Sequence, residues 1–295
     1  MPQPSLPSFR RVGHYLSNLL IVGVIRLAKL LPYEKRVPFV GWLVAQFIGP
    51  VAGYRRRALD NLARIYPDMP MDERRRIAKK CLNNVGRTFI EFYSADEFLP
   101  RLSTNPLEGP GLALLEEAAA QGRPVLLVGG HYGNFESVRA ALVGRGFPVG
   151  GFYRNMANPF FNEHYVAAIE TFGGPGFAQS RKGTAEFVRH LKNGGQVVFF
   201  LDQHVMGAPV LDFMGQPART SLSAAELSLR FDALLIPFYG TRNADGLTFT
   251  TILEAPIAPT DPMTMTQQIN DSLGARVYAD PTQWFWVHRR WRPND

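Results

Sequence analysis

The strongest constraint on the fold is an alternation that begins near residue 107. Short apolar runs the length of a buried strand are separated by stretches with helical spacing. LALLEEAAAQG reads as a helix, PVLLVGG as a buried strand and NFESVRAALVGRG as a helix. FPVGGFYR then reads as a strand and NPFFNEHYVAAIETFGG as a helix. GTAEFVRHLKNGG, QVVFFLD and SLSAAELSLRFD continue as helix, strand and helix. ALLIPFYGTR and LTFTTILE read as strands and MTQQINDSLGARVYAD as a helix. Strands alternating with helices predict an α/β fold with a mixed, largely parallel sheet flanked by helices, the last strand pair being the place for an antiparallel pairing.

The chain before this point has a different character. Residues 1–105 read as helical, and Ile77, Cys81, Val85, Thr88 and Phe92 recur at three- and four-residue steps within 72–98. Pro100 and Pro106 close this region, and residues 1–8 read as a loose tail. The runs LLIVGVIRLAKLL and VPFVGWLVAQFIGPVA are apolar, but the first carries Arg26 and Lys29 and the second Gly41, Gly49 and Pro50. Neither supplies the ~20 apolar residues of a spanning helix, and no signal-type cleavage site follows the first. The expectation is a helical membrane-associating region over 1–105, as an in-plane amphipathic helix or a shallow helical hairpin at a membrane surface, followed by an α/β domain over 106–295. Ordinary core helices are the alternative.

Composition narrows the function. Only 19% of residues are charged and 46% are hydrophobic, which suits a packed core rather than disorder. The single cysteine, Cys81, excludes an internal disulfide framework or a cysteine-cluster metal site within one chain. The net charge of +7 comes mostly from arginine, in short clusters such as Arg55 to Arg57 and Arg74 to Arg76. These clusters match no nucleic-acid module, but they suit anionic lipid or an acidic protein.

The chemistry concentrates after PVLLVGG. In open α/β sheets, ligands bind at the carboxyl ends of strands. His131 stands there, and Glu136 falls in the first turn of the next helix. A turn between them lets an acid hold one imidazole nitrogen and leave the other as a base. Gly129, Gly130 and Gly133 allow close approach of a substrate. A capping histidine with an ordinary first-turn acid is the alternative. Asp202 and Gln203 end another buried strand, either lining the same crevice or capping the strand. Phe213 to Thr220 either shape a pocket or form a plain turn on Gly215 and Pro217. The C-terminal stretch with Trp284, Trp286, His288, Arg289, Arg290 and Arg292 reads as an interfacial anchor or phosphate clamp, or as a helix with a solvated basic edge. His288 reads as structural rather than catalytic.

HYGNFE resembles the His-x-x-x-x-acid motif of glycerolipid-type acyltransferases, and its flanks resemble the lipid A biosynthesis (late) acyltransferase family. The resemblance rests on five ordered blocks between about 125 and 292: the His-acid motif, FYRNMANP, RKGTAEFVRHLKNGG with VVFFLDQ, FMGQPART, and PTQWFWVHRRW. Departures are Glu136 where many acyltransferases carry Asp, His204 after Asp202 and Gln203, and Met214 in the Phe-Met-Gly turn.

The resemblance implies transfer of a fatty acyl chain from acyl carrier protein or acyl-CoA to a hydroxyl of a lipid A precursor, without cofactor or metal. It also implies a place on the cytoplasmic face of a Gram-negative inner membrane, peripheral or monotopic. His131 would be the general base, Glu136 its orienting acid, and Arg154 a holder of phosphate or oxyanion. Asn134, Tyr153, Asn158, Asp202, Gln203, Phe213, Thr220, Arg289 and Arg290 would contact substrate. Acylation of another glycolipid, such as a phosphatidylinositol mannoside, non-catalytic lipid binding, and hydrolysis with water replacing the acceptor stay open at this point.

Overall fold

The computed structural model describes residues 8–292; the tail expected over 1–8 lies, up to residue 7, outside them. Six helices come first: α1 (Ser8–Lys29), α2 (Tyr33–Leu43), the short α3 (Gly49–Val51), α4 (Tyr54–Ile65), α5 (Met71–Phe92) and α6 (Ala95–Leu102). A π-helical turn, Val44–Ile48, joins α2 to α3. The α/β part follows as β1 (Leu107–Glu108), α7 (Gly111–Ala120), β2 (Val125–Gly129), α8 (Phe135–Gly144), β3 (Val149–Tyr153) and α9 (Pro159–Thr171). It continues with β4 (Gly176–Ala178), α10 (Arg181–Lys192), β5 (Gln196–Phe200), the hairpin β6 (Val210–Phe213) and β7 (Gln216–Arg219), and α11 (Ser223–Phe231). The last elements are β8 (Leu234–Arg242), β9 (Phe249–Leu253) and α12 (Pro262–Ala279).

Seven strands form one sheet in the order β1-β9-β8-β2-β5-β3-β4. Every pairing in it is parallel except β8 with β9. The expected α/β class and mixed, largely parallel sheet are therefore observed. β2 lies at the centre and is buried at every position, as a strand covered on both faces must be. Its side chains alternate. Leu126 and Val128 pack with Phe187, Leu191, Ala224 and Ile269 from α10, α11 and α12. Val125 and Leu127 pack with Leu115, Val138 and Leu142 from α7 and α8.

Three features were not foreseen. FMGQPART is not a plain turn but the β6–β7 hairpin, closed by Met214 (φ 57°) and Gly215 (φ 74°). Two consecutive positive φ values make the tight loop whose twist suits paired strands. The C-terminal stretch is not a helix with a solvated edge. It runs as an irregular segment whose Trp284, Trp286 and Arg290 are fully buried, so the two tryptophans are core, not an interfacial anchor. The stretch 72–98, read as helical throughout, is divided: α5 ends at Phe92, where Ser94 Oγ donates to Ile90 O, and α6 runs through Pro100 to Leu102.

The early helices do not stand apart from the sheet. Glu91 on α5 is fully buried and accepts two bonds from the Arg242 guanidinium on β8, at 2.5 and 2.7 Å. It also accepts one from Asn134 Nδ2 at 2.8 Å. Removing one partner of a buried ion pair leaves an uncompensated charge and costs about 3–5 kcal/mol. Glu91→Ala is therefore expected to lose about 3–5 kcal/mol of stability, read as a lowered midpoint of chemical denaturation.

Among the described residues no single helix is long and apolar enough to cross a membrane; one bent pair, Tyr33–Val51 with Tyr54–Ile65 at 87°, passes by length and composition together. The stretch from α1 through α3 nevertheless exposes large apolar side chains, among them Phe9, Leu20, Leu27, Leu30, Trp42 and Val51.

Candidate active site

β2 and β5 are neighbours in parallel register, with Gly129 opposite Phe200. His131 and Asp202 each follow two residues after that pair, so register alone brings them level at the carboxyl edge of the sheet. Asp202 is buried, and its Oδ1 lies 2.8 Å from His131 Nδ1. Its Oδ2 accepts from the His131 backbone N–H at 2.8 Å and from Trp284 Nε1 at 3.0 Å. Burial alone would raise this carboxyl, but the facing His131 and its hydrogen bonds hold it well below the usual carboxylate range. With Asp202 ionised, the imidazole presents Nδ1–H to it and keeps a lone pair on Nε2.

The carboxylate hydrogen-bonded to His131 is thus Asp202 rather than Glu136. Glu136 accepts instead from Arg139 Nε, three residues on along α8, at 3.0 Å. The physical reason lies in the start of α8. Asn134 caps it, accepting from the Glu136 and Ser137 N–H groups, which turns the first helical residues away from the strand end. Arg139 also donates to Gly173 O, and its guanidinium lies over the Phe172 ring.

Two glycines allow this geometry. A Cβ on Gly130 would meet Asp202 Oδ2 at 2.9 Å and Leu273 at 2.5 Å. Gly133 has φ +57° and its Cα faces the Gly240 backbone too closely for any side chain. Aromatic rings fix the imidazole from several sides: Phe135 and Phe200 each lie 4.9 Å from the His131 ring and His288 lies 4.7 Å from it. Burial, aided by the neighbouring His131, pushes His288 down to about 3, so it stays neutral near pH 7.

His131 opens onto a cavity of about 1320 Å³. Ordinary small-molecule pockets run to ~300–1,000 Å³, so this one has room for more than a small polar substrate. Its wall is largely aromatic and aliphatic, including Val85, Phe89, Phe92, Phe152, Tyr165, Phe187 and Phe199. A few polar groups converge on it: His131, Glu136, Arg139, Tyr153, Arg154 and Gln203.

Several expected contact residues have other occupations. Asn134 and Asn158 are helix caps, and Asn158 also donates to His14 O in α1. Phe213 stacks on Trp291 in the core, Thr220 is buried, and Arg290 donates to Arg219 O and Thr220 Oγ1. Arg289 is exposed. None of these six lines the cavity. Asp202 is at the site, but as the partner of His131. Two further groups stand there as well: Arg139, which was not singled out from the sequence, and His288, which was read as structural. Arg139 carried a signal, its i, i+3 spacing from Glu136. His288 carried none, because its nearness to His131 depends on the path of the C-terminal segment.

Cys81 touches the cavity wall, yet burial raises its thiol to about 12. It is expected to stay unlabelled by thiol reagents in the folded protein and to react once unfolded, which a mass measurement before and after denaturation checks.

Comparison with known proteins now decides the family. A family profile described as bacterial lipid A biosynthesis acyltransferase matches residues 4–293. The chain belongs to that family. It is 28% identical to a lipid A biosynthesis lauroyltransferase of Escherichia coli (strain K12), over 98% of this chain and 96% of that protein. It is 26% identical to a lipid A biosynthesis acyltransferase of Haemophilus influenzae, over 99% and 96% respectively. The protein is accordingly an O-acyltransferase, and the resemblance read from the five motif blocks is confirmed across nearly the whole chain.

Proposed function

We propose that this acyltransferase moves a fatty acyl chain from a thioester donor, acyl carrier protein or acyl-CoA, onto a hydroxyl of a lipid A precursor, with His131 as general base. The observation that carries the reading is the pairing of His131 with an ionised, buried Asp202 at the edge of an apolar cavity. A lipid hydroxyl attacks a thioester poorly until its proton is taken. His131 Nε2 accepts that proton as the oxygen bonds to the thioester carbonyl. Nδ1–H stays on Asp202, which steadies the imidazolium that forms. When the tetrahedral intermediate collapses, the carbon–sulfur bond breaks and the thiolate leaves with the proton from Nε2. Arg154 at the cavity rim, together with Arg139 held by Glu136, supplies positive charge for the oxyanion or for an acceptor phosphate. Glu136 acts through Arg139 in this reading. Tyr153 and Gln203 contact the substrate from the same wall.

Membrane contact is part of the proposal. A lipid acceptor must be reached at a bilayer, and the exposed apolar side chains of the stretch from α1 through α3 lie beside exposed Arg10, Arg11, Arg26, Lys29 and Lys35. That mixture suits a helix resting in an anionic interface. It supports residues 1–105 as a membrane-associating region on the cytoplasmic face of the inner membrane, with the α/β domain after it. The acceptor is tested in cells. Lipid extracts of a strain lacking this protein are expected to contain lipid A short of one acyl chain, restored by the wild-type gene. Unchanged lipid A with a shortened chain count on another glycolipid would move the acceptor assignment there.

A further inference from the structure

His131, Asp202 and His288 come from three separate parts of the chain: the end of β2, the end of β5 and the C-terminal segment. Each offers one ligand-type atom, and these atoms lie within 4.8 Å of one another. Two imidazoles and one carboxylate suit Zn²⁺ and other late first-row divalent ions, not the all-oxygen preference of Mg²⁺ or Ca²⁺. A second observation points the same way. His288 Nε2 is buried and makes no hydrogen bond among the described residues, and acyl transfer as described gives this ring no chemical task. The outer contacts are also in place: Trp284 Nε1 and the His131 N–H hold Asp202 Oδ2, which leaves Oδ1 as the ligand atom.

We propose that His131, Asp202 and His288 form a binding site for a divalent transition-metal ion of the Zn²⁺ class, and that occupancy switches acyl transfer off. The switch is a change of tautomer. In the active state Nδ1 of His131 carries the proton and Nε2 the lone pair. The metal takes the Nδ1 lone pair, one Asp202 oxygen and a His288 nitrogen, with water from the cavity as fourth ligand. The ring proton moves from Nδ1 to Nε2, so none is gained or lost. Nε2 then donates and cannot accept the hydroxyl proton. Zinc bonds of about 2.0–2.1 Å place ligand atoms roughly 3.3 Å apart, so His131 Nδ1 and Asp202 Oδ1 open slightly from 2.8 Å while the His288 nitrogen draws in from within 4.8 Å.

The inhibition rests on the reading of His131 as base, whereas the binding does not. The full chain, stripped by a chelator, is titrated with Zn²⁺ by calorimetry and with Co²⁺ by visible absorption. Wild type is expected to bind one equivalent with the bands of a four-coordinate cobalt site, and His288→Ala to bind at least tenfold more weakly. Wild-type transfer is expected to fall at least tenfold in saturating Zn²⁺ and to return with EDTA. His288→Ala should need at least tenfold more Zn²⁺ than wild type for the same fractional loss of its own metal-free rate. Equal affinity in both proteins, or no binding, overturns the site. Should His288→Ala fail to fold, His131→Ala removes a different ligand, and undiminished affinity there overturns the site equally. Binding as expected without loss of transfer overturns the switch and the base assignment while leaving the metal site standing.

Discussion

Replacing His131 with alanine is expected to lower the transfer rate by about 10²–10⁴-fold, the contribution of a well-placed general base, while the protein stays folded. The side chain is partly exposed to the cavity and sits among Phe135, Phe200 and His288. Its loss opens space at a cavity edge rather than in the sheet core. The backbone bond from residue 131 to Asp202 survives the change. Affinity for acceptor and donor should change little, because the aromatic wall that holds them is untouched. The effect therefore belongs in kcat. Thermal denaturation alongside the kinetics checks that the fold is intact, and wild-type-like turnover in a folded variant would remove His131 from the chemistry.

The second large effect is expected at Asp202. Asp202→Asn keeps the shape but replaces an ionised acceptor with an amide. The amide can present its NH₂ to His131 Nδ1, and the imidazole proton then moves to Nε2, the nitrogen that must accept. A fall in kcat of about 10²–10⁴-fold is expected. Glu136→Ala is expected to lower transfer by another route, by releasing Arg139 from its partner on α8. The two variants are separable by nuclear magnetic resonance of the His131 ring nitrogens. Asp202→Asn should change which nitrogen carries the proton and Glu136→Ala should not. The reverse pattern would restore Glu136 as the orienting acid.

Much of the molecule was readable from the chain alone, for identifiable reasons. Continuous apolar runs such as VLLVG and QVVFF declare buried strands, and the helices between them carry their own caps and stops. His131 was readable because it follows such a strand directly. Its partner was not. Glu136 is five residues away in sequence, whereas Asp202 is brought level only by the parallel register of β2 with β5, and strand order is not written in local pattern. The C-terminal block shows the same limit. Its tryptophans and arginines look like surface chemistry until the path of residues 281–292 buries Trp284, Trp286 and Arg290 beneath α4, α5 and the β6–β7 hairpin. Asn134 and Asn158, expected to contact substrate, stand as helix caps away from the cavity wall, a role that asparagine also serves and that only the fold reveals.

The most direct test of the central claim is a product mass. Purified wild type and His131→Ala are incubated with acyl carrier protein loaded with chains of different length and with a Kdo-bearing lipid A precursor. The lipids are then weighed by mass spectrometry. The account predicts that the wild-type product gains the mass of one acyl chain and that the gain disappears in a folded His131→Ala protein. An equal gain with both proteins, or no gain with any carrier-protein or CoA donor, would contradict it.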